Sequence, residues 1–353
     1  MKAERLKVLV TGGAGFIGGH LVEGLVARGH RVRVLDNFVS GRIENLRAVQ
    51  ADVEVQEGDC ASLADAGKAV RGVEVVYHEA AVPNVAGSIE DPARCQHGGG
   101  VATLNMLEAS RRAGVRRFLY ASSSAVYGDS ARQRKDESME PHPASPYAIE
   151  KRVGEYYLPV FASLYGLETL ALRYFNVFGP RQDVACPYGG IVTRFITTVL
   201  RGETPAPAGD GRQSRDFVYV ADVVDANLLA LEANGLVGQA INIATGRRTT
   251  FDKLFSLVSD EIGAVRGERS ANGEETTRTH ERRTSPPSRR PVGVSGVRHS
   301  VADVTLAHRL IGFRPTIDLE TGLRRTVSWC RNLAAPATGG GPSLGPRELV
   351  ATP

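Results

Sequence analysis

The chain has 353 residues, 42% hydrophobic and 23% charged, which suits one large α/β domain with a smaller appended one. Its net charge of +4 is spread along the chain, which excludes a nucleic-acid footprint on charge alone. The four cysteines (Cys60, Cys95, Cys186, Cys330) stand far apart with no CxxC pair, so reduced thiols are expected and no structural metal. The first apolar run meets a glycine loop after Val10, too short for a secretory signal, and no stretch approaches the roughly 18 apolar residues of a membrane span. A cytoplasmic protein is expected.

Apolar runs rich in Val and Leu alternate with helix-period segments through the first half. Strands are predicted at Leu6–Val10, Arg31–Asp36, Val53–Asp59, Val73–Ala80, Arg116–Ser122 and Leu167–Asn176. Helices are predicted at Phe16–Arg28, Leu63–Val70, Val101–Ala113 and Pro146–Tyr165. Several strands lack polar alternation, as strands covered on both faces do, so a parallel, doubly wound sheet is expected. After residue 177 helices dominate: Ile191–Arg201, Asp222–Asn234, Phe251–Ile262, Val301–Leu310 and Leu319–Arg331, with short strands at Phe217–Val220 and Ala240–Ala244. The expected division is 1–176 for the sheet domain and 177–333 for a smaller, mainly helical lobe. The Arg-, Glu-, Ser- and Thr-rich stretch 266–291 reads as a flexible excursion and 334–353 as a disordered tail.

Chemistry first enters at Gly12-Gly13-Ala14-Gly15-Phe16-Ile17-Gly18, between the first strand and the first helix. Gly12 permits a tight turn, Gly15 lets the backbone approach a pyrophosphate, and Gly18 lets the helix pack closely on the sheet. The helix N-terminus, at Phe16 and Ile17, presents free N–H groups and a positive dipole end to that anion. Asp36, closing the second strand, is placed to accept hydrogen bonds from an adenosine ribose. A carboxylate there repels a 2′-phosphate, so NAD is expected rather than NADP. This is the signature of a Rossmann-type dinucleotide site.

Tyr147 and Lys151 stand four apart at the start of a predicted helix and share one face. A phenol titrates near pH 10, and an adjacent ammonium together with the positive nicotinamide ring is expected to depress that value. Upstream, Ser122, Ser123 and Ser124 end a buried strand, where ligands bind in α/β sheets. One of these hydroxyls could hydrogen-bond the oxygen that Tyr147 deprotonates.

These motifs occur in order with Asp36-Asn37-Phe38, Gly58-Asp59, His78-Glu79-Ala80-Ala81, Ser145-Pro146-Tyr147, Leu172-Arg173-Tyr174-Phe175-Asn176, Gly209-Asp210-Gly211, Arg215-Asp216-Phe217 and Arg298-His299-Ser300. Over roughly residues 5–330 the set resembles the NAD-dependent epimerases and dehydratases of the extended short-chain dehydrogenase superfamily, and is most similar to the UDP-sugar 4-epimerases. The resemblance implies Tyr147 as acid/base, Lys151 as its electrostatic partner, also bonded to the nicotinamide ribose, and Ser123 as the catalytic hydroxyl, with Ser124 as fallback. It implies cofactor contacts from Asn37, Asp59, Cys60, Ala80, Ala81, Ser122, Tyr147, Lys151 and Tyr174 beside the glycine turn and Asp36. It places Asn176, Arg215 and Arg298 against the substrate diphosphate, and Ser300 beside the sugar's C2 substituent. There a serine admits N-acetyl sugars that a tyrosine excludes. The alternative for Ser300 is an N-cap on a helix starting near Val301. A homodimer through the helices at 101–113 and 146–165 is implied too.

The pattern is broken in places. Gly99 stands where the family usually carries Asn, and three successive glycines at 98–100 are expected to delay the start of that helix. Ala208 replaces an aromatic residue, and Gly293–Gly296 replaces an Arg-containing run. The Cys95-Gln96-His97 cluster lacks partners at metal-ligand spacing, and His78 and His299 read as structural. The rival activities are a nucleotide-sugar 4,6-dehydratase or decarboxylase, which carries an acid next to the catalytic hydroxyl, where Ser124 and Ala125 stand here. A non-catalytic NAD-binding sensor is the rival of another class.

Overall fold

The computed structural model describes residues 5–82, 85–130, 132–183, 190–203, 211–270 and 298–334. Seven strands form the main sheet: β1 (Lys7–Thr11), β2 (Arg31–Asp36), β3 (Val53–Glu57), β4 (Val75–His78), β5 (Arg117–Ser123), β6 (Glu168–Tyr174) and β7 (Val237–Ile243). Their order is β7-β6-β5-β4-β1-β2-β3, with every neighbouring pair parallel. Successive side chains of each strand point to opposite faces. Val8 and Val10 enter a core with Leu21 and Leu25 of α1 (Phe16–Ala27). Leu9 enters the other face, with Ala66 of α2 (Leu63–Ala69), Leu107 of α3 (Ala102–Ala113) and Phe161 of α4 (Pro146–Tyr165). Both faces are covered, which is why several strands, β1 and β4 among them, read as nearly unbroken apolar runs.

The second part holds α5 (Ile191–Leu200), α6 (Val220–Glu232), α7 (Phe251–Ser270), α8 (Thr305–Ile311) and α9 (Leu319–Ala334). A separate aromatic-rich core joins Phe178, Phe195, Phe217, Tyr219, Phe251 and Leu323. The expected boundary at 176/177 is not a clean cut. Val223, Val224 and Leu228 of α6 pack with Leu21 and Leu25 in the sheet-domain core, as do Ala307 and Ile311 of α8. β7 then completes the sheet beside β6. The buried Arg117 of β5 fastens this return, donating from Nη1 to the carbonyl oxygens of Ala230 (2.9 Å) and Leu231, and from Nη2 to that of Ala233 (2.6 Å). These are carbonyls of the last turn of α6, where a cation is favoured.

Two other expectations are corrected. The glycines at 98–100 do not delay the helix: Pro92–Gln96 passes through a π-helical stretch, His97–Val101, into α3 with helical backbone angles at Gln96, Val101 and Ala102. Tertiary packing outweighs the cost of about 1 kcal/mol per glycine. Val301 does not begin a helix: Val301–Ala302 pairs as a strand with Arg134–Lys135, and α8 starts at Thr305. Ser300 is therefore not an N-cap. The helix α7 runs on to Ser270; the rest of the stretch 266–291, together with Ala208, 293–296 and the tail 335–353, lies outside the described residues. No helix of the described residues is long and apolar enough to cross a membrane.

Candidate active site

The carboxyl ends of β1, β4, β5 and β6 lie side by side, with Thr11 level with His78 and Ser123 level with Tyr174. The glycine turn leaves from β1. Gly12 has φ +64°, and a β-carbon there would stand 2.8 Å from the Ala80 nitrogen; one on Gly18 would stand 2.2 Å from the Gly12 oxygen. Neither position tolerates a side chain, so turn and helix close as tightly as a pyrophosphate cradle requires. The turn is braced from below. The buried His78 ring bridges the hydroxyls of Thr11 (2.8 Å) and Thr103 (3.1 Å), and Thr11 Oγ1 accepts from the Ala80 N–H at 3.2 Å. Burial, aided by the Lys151 charge, pushes the His78 pKa down to about 3, so it is a neutral structural ring, as expected from the sequence.

Asp36 ends β2 with its carboxylate accepting from Ala14 N–H and Phe38 N–H, both at 2.9 Å. Burial raises its pKa while those two bonds oppose the rise. A β-carbon on Gly41 would stand 2.5 Å from Asp36 Oδ1, so the following loop folds over the acid. Asn37 is exposed and turns its side chain to Val39 N–H. Asp59 accepts from Ala61 N–H at 2.8 Å. Ala80 and Ala81 are half-buried at the end of β4. Cys60 faces the core instead: burial pushes its thiol up to about 12, leaving its backbone as the part that can meet a cofactor. Ser122 likewise spends its hydroxyl behind the sheet, donating to Glu155 at 2.6 Å. The glycine turn and the carboxylate at Asp36 fit NAD.

Ser145 caps α4 by accepting from Ala148 N–H at 3.2 Å, with Pro146 in the first turn, a local arrangement that starts a helix sharply. It sets Tyr147 and Lys151 on the inward face. Lys151 Nζ lies 5.7 Å from the centre of the Tyr147 ring and 5.1 Å from that of Tyr120. The Ser123 hydroxyl favours the ionised form of the Tyr147 phenol, as Lys151 does, but burial outweighs both and the Tyr147 pKa lies above its ordinary value. The net depression expected from the sequence is therefore absent without cofactor charge. Burial would lower the Lys151 pKa, yet its coupling to Tyr120, Glu150, Tyr147 and Glu79 raises it overall. Ser124 opens a short 3-10 turn after Ser123.

Tyr174 donates to Glu79 at 2.8 Å and accepts from Asn227 at 2.7 Å. Glu79, pushed up to about 7 by burial, is a site group to which the sequence alone assigns no role. On the far side, Asn176 is half-buried on a short strand, Asn176–Phe178, paired with Phe217–Tyr219. Arg215 lies over the Phe251 ring at 5.4 Å and donates to Ser214 O. Arg298 is exposed and its carbonyl accepts from Ser214 N–H; Ser300 is buried, its N–H donating to Ser214 O at 3.2 Å. Arg215, Arg298 and Ser300 thus meet around Ser214. His299 donates to or accepts from Ser214 Oγ at 2.9 Å.

His20, on α1, ties the loop after residue 178 to the sheet domain. Its Nε2 bonds Pro180 O at 3.0 Å and its Nδ1 receives Arg181 at 2.6 Å, a pairing that needs neutral imidazole. Burial, then the Arg181 charge, lowers its pKa from 6.5 to about 4. A depressed histidine contributes stability that is present above pH 6.5 and is lost as pH falls through 4, at about 1.4 kcal/mol per pH unit at most. His20→Gln is expected to flatten the fall in melting temperature between pH 6.5 and 4. Parallel melting curves for the two proteins would rule this out.

The family model for the NAD dependent epimerase/dehydratase family matches residues 8–244. The chain belongs to that family. It is 37% identical to a putative UDP-glucose 4-epimerase of Methanocaldococcus jannaschii, covering 92% of this chain and 98% of that one. The solved UDP-glucose 4-epimerase of Thermotoga maritima, with UDP-glucose, superposes with a TM-score of 0.83 at 37% identity, covering 94% and 100%. A UDP-N-acetylglucosamine 4-epimerase from Methanobrevibacter ruminantium, in complex with UDP-N-acetylmuramic acid, gives 0.81 at 35%, covering 93% and 99%. Among the described residues no cluster fit to hold a metal occurs, and Cys60, Cys95 and Cys330 are buried free thiols.

Proposed function

We propose that the chain is an NAD-dependent UDP-sugar 4-epimerase in which Ser123, Tyr147 and Lys151 carry the chemistry. The observation that bears most weight is the convergence of the half-buried Tyr147, the buried Lys151 and a strand-end serine at the same sheet edge as the glycine turn. NAD would be held by the turn at 12–18 and by Asp36, and when bound it supplies a reversible hydride acceptor for the sugar's C4. Tyr147 takes the proton of the 4-hydroxyl and returns it once the 4-keto sugar has turned its other face. Lys151, an ammonium beside the ring, stabilises the phenolate that precedes the abstraction and re-forms when the proton is returned. Ser123 orients the same oxygen, and Asn176, Arg215 and Arg298 serve the diphosphate. Neither Ser124 nor Ala125 supplies the acid that dehydration or decarboxylation places beside this hydroxyl.

Purified protein given UDP-glucose and UDP-N-acetylglucosamine separately is expected to yield the galacto epimer of each, because Ser300 leaves room at C2. A 4-keto-6-deoxy sugar or a pentose product would overturn the reading. A direct binding titration is expected to give NAD at least about tenfold tighter than NADP, since the Asp36 carboxylate would repel a 2′-phosphate. Equal affinities would sink the Asp36 assignment.

The proposed assembly is a homodimer. On α4, Ile149, Tyr156, Val160 and Leu164 are exposed, as is Leu104 on α3, forming an apolar face suited to a second copy. Light scattering at micromolar concentration should report twice the chain mass; monomer alone would refute it.

A further inference from the structure

The π-helical stretch His97–Val101 passes under the first turns of α4, and Gly99 lies beneath the Glu150 side chain. A β-carbon on Gly99 would stand 1.0 Å from Glu150 Oε2 and 2.0 Å from Glu150 Cδ. The carboxylate therefore fills the volume that any other residue at 99 would claim. Glu150 is fully buried, and neither of its oxygens has a hydrogen-bond partner. The cation beside it is Lys151, with Nζ 3.8 Å from Oε1. A buried carboxylate without hydrogen bonds is costly, so packing alone does not account for an acid at this place.

We propose that Glu150 is a positioning residue for the acid/base pair: admitted by the glycine at 99, its carboxylate anchors the Lys151 ammonium and moderates how strongly that ammonium acts on the Tyr147 phenol. This rests on the assignment of Tyr147 as the proton-transferring group. The charged and titratable groups around Glu150 come from three elements: Tyr147 and Lys151 on α4, Cys95 on Pro92–Gln96, and Tyr120 on β5. Lys151 is faced in turn by Glu79 and His78 at the end of β4. The sign follows from the charges. Lys151 favours the phenolate and Glu150 opposes it. Removing the Glu150 charge while Lys151 stays leaves the phenol ionising at lower pH. An alanine at 99 should act alike, since it must push aside the flexible end of the same side chain.

The test is an ultraviolet absorbance titration of the phenolate in Glu150→Gln, Gly99→Ala and the double variant, with Tyr147→Phe as the blank, alongside the pH profile of kcat/KM. Glu150→Gln is expected to lower the midpoint by about one pH unit, the usual effect of one nearby charge, and to move the acidic limb of kcat/KM equally. Gly99→Ala should shift both in the same direction, and the double variant no further than the larger single change. A Glu150→Gln protein that melts earlier but keeps the wild-type midpoint would reduce Glu150 to a space filler. If Glu150→Gln does not fold, an unshifted midpoint in Gly99→Ala overturns the proposal in the same way. A shifted titration in a protein that turns over no UDP-sugar would fault the substrate assignment and leave this inference standing.

Discussion

Tyr147→Phe is expected to cut epimerase turnover by about 10²-fold or more, the scale on which a positioned acid/base group acts, while NAD binding and melting temperature stay close to wild type. The hydroxyl's partner is Ser123, within the site itself. The ring is half-buried against Lys151 and Ser123, and phenylalanine keeps its shape. Initial rates with either UDP-sugar, set beside a calorimetric NAD titration of the same preparation, separate the two effects. Near wild-type turnover would move the base to another residue. A loss of NAD affinity equal to the loss of rate would recast Tyr147 as a binding group.

Glu155→Ala is expected to have the largest effect on stability. Arg173 and Glu155 form a bidentate pair, Nε to Oε1 and Nη2 to Oε2 both at 2.8 Å, with side chains 3% and 2% exposed. Ser122 and Arg152 complete the carboxylate, while Arg173 also donates to Tyr127, whose hydroxyl reaches Asn242 at 2.7 Å. Deleting the acid strands a guanidinium in the interior, at a cost of about 3–5 kcal/mol. Burial alone would raise the Glu155 pKa, yet its bonds to Arg173, Ser122 and Arg152 lower it. Its contribution is therefore present above the ordinary carboxylate range and lost as pH falls below it. Guanidinium unfolding at neutral pH measures the effect; a loss under about 1 kcal/mol would show that the pair is dispensable. Arg173→Ala should cost a similar amount, and the double variant less than the sum.

What could be read in advance was local. A glycine turn between strand and helix, a Tyr and Lys one helical turn apart, and a serine-ended buried strand each announce themselves within a short window. What stayed hidden depends on distant partners. The ionic network joins residue 155 to 173 and 127 to 242, and no periodicity links them. β7 comes after a long, mainly helical excursion, and only its second half reads as a strand, so its seat beside β6 could not be told from a lobe strand. Ser300 resembled a cap because serine commonly is one; its pairing with Ser214 comes from residues far upstream. Glu150 stood out in no motif, because its meaning depends on Gly99 across the interface.

The late return of β7 also has a consequence during synthesis. Domains tend to fold as units while the chain is still being made, but this sheet has no finished border until residue 243 has emerged. Until then β6 presents an unpaired backbone edge, and Arg117 waits for carbonyls at 230, 231 and 233 that do not yet exist. An open parallel edge invites pairing with a neighbouring chain. A ribosome that pauses within the lobe, or a fragment cut after 176, would therefore expose a sticky, half-built sheet, and recovery of intact protein should depend on chaperones able to shield that edge.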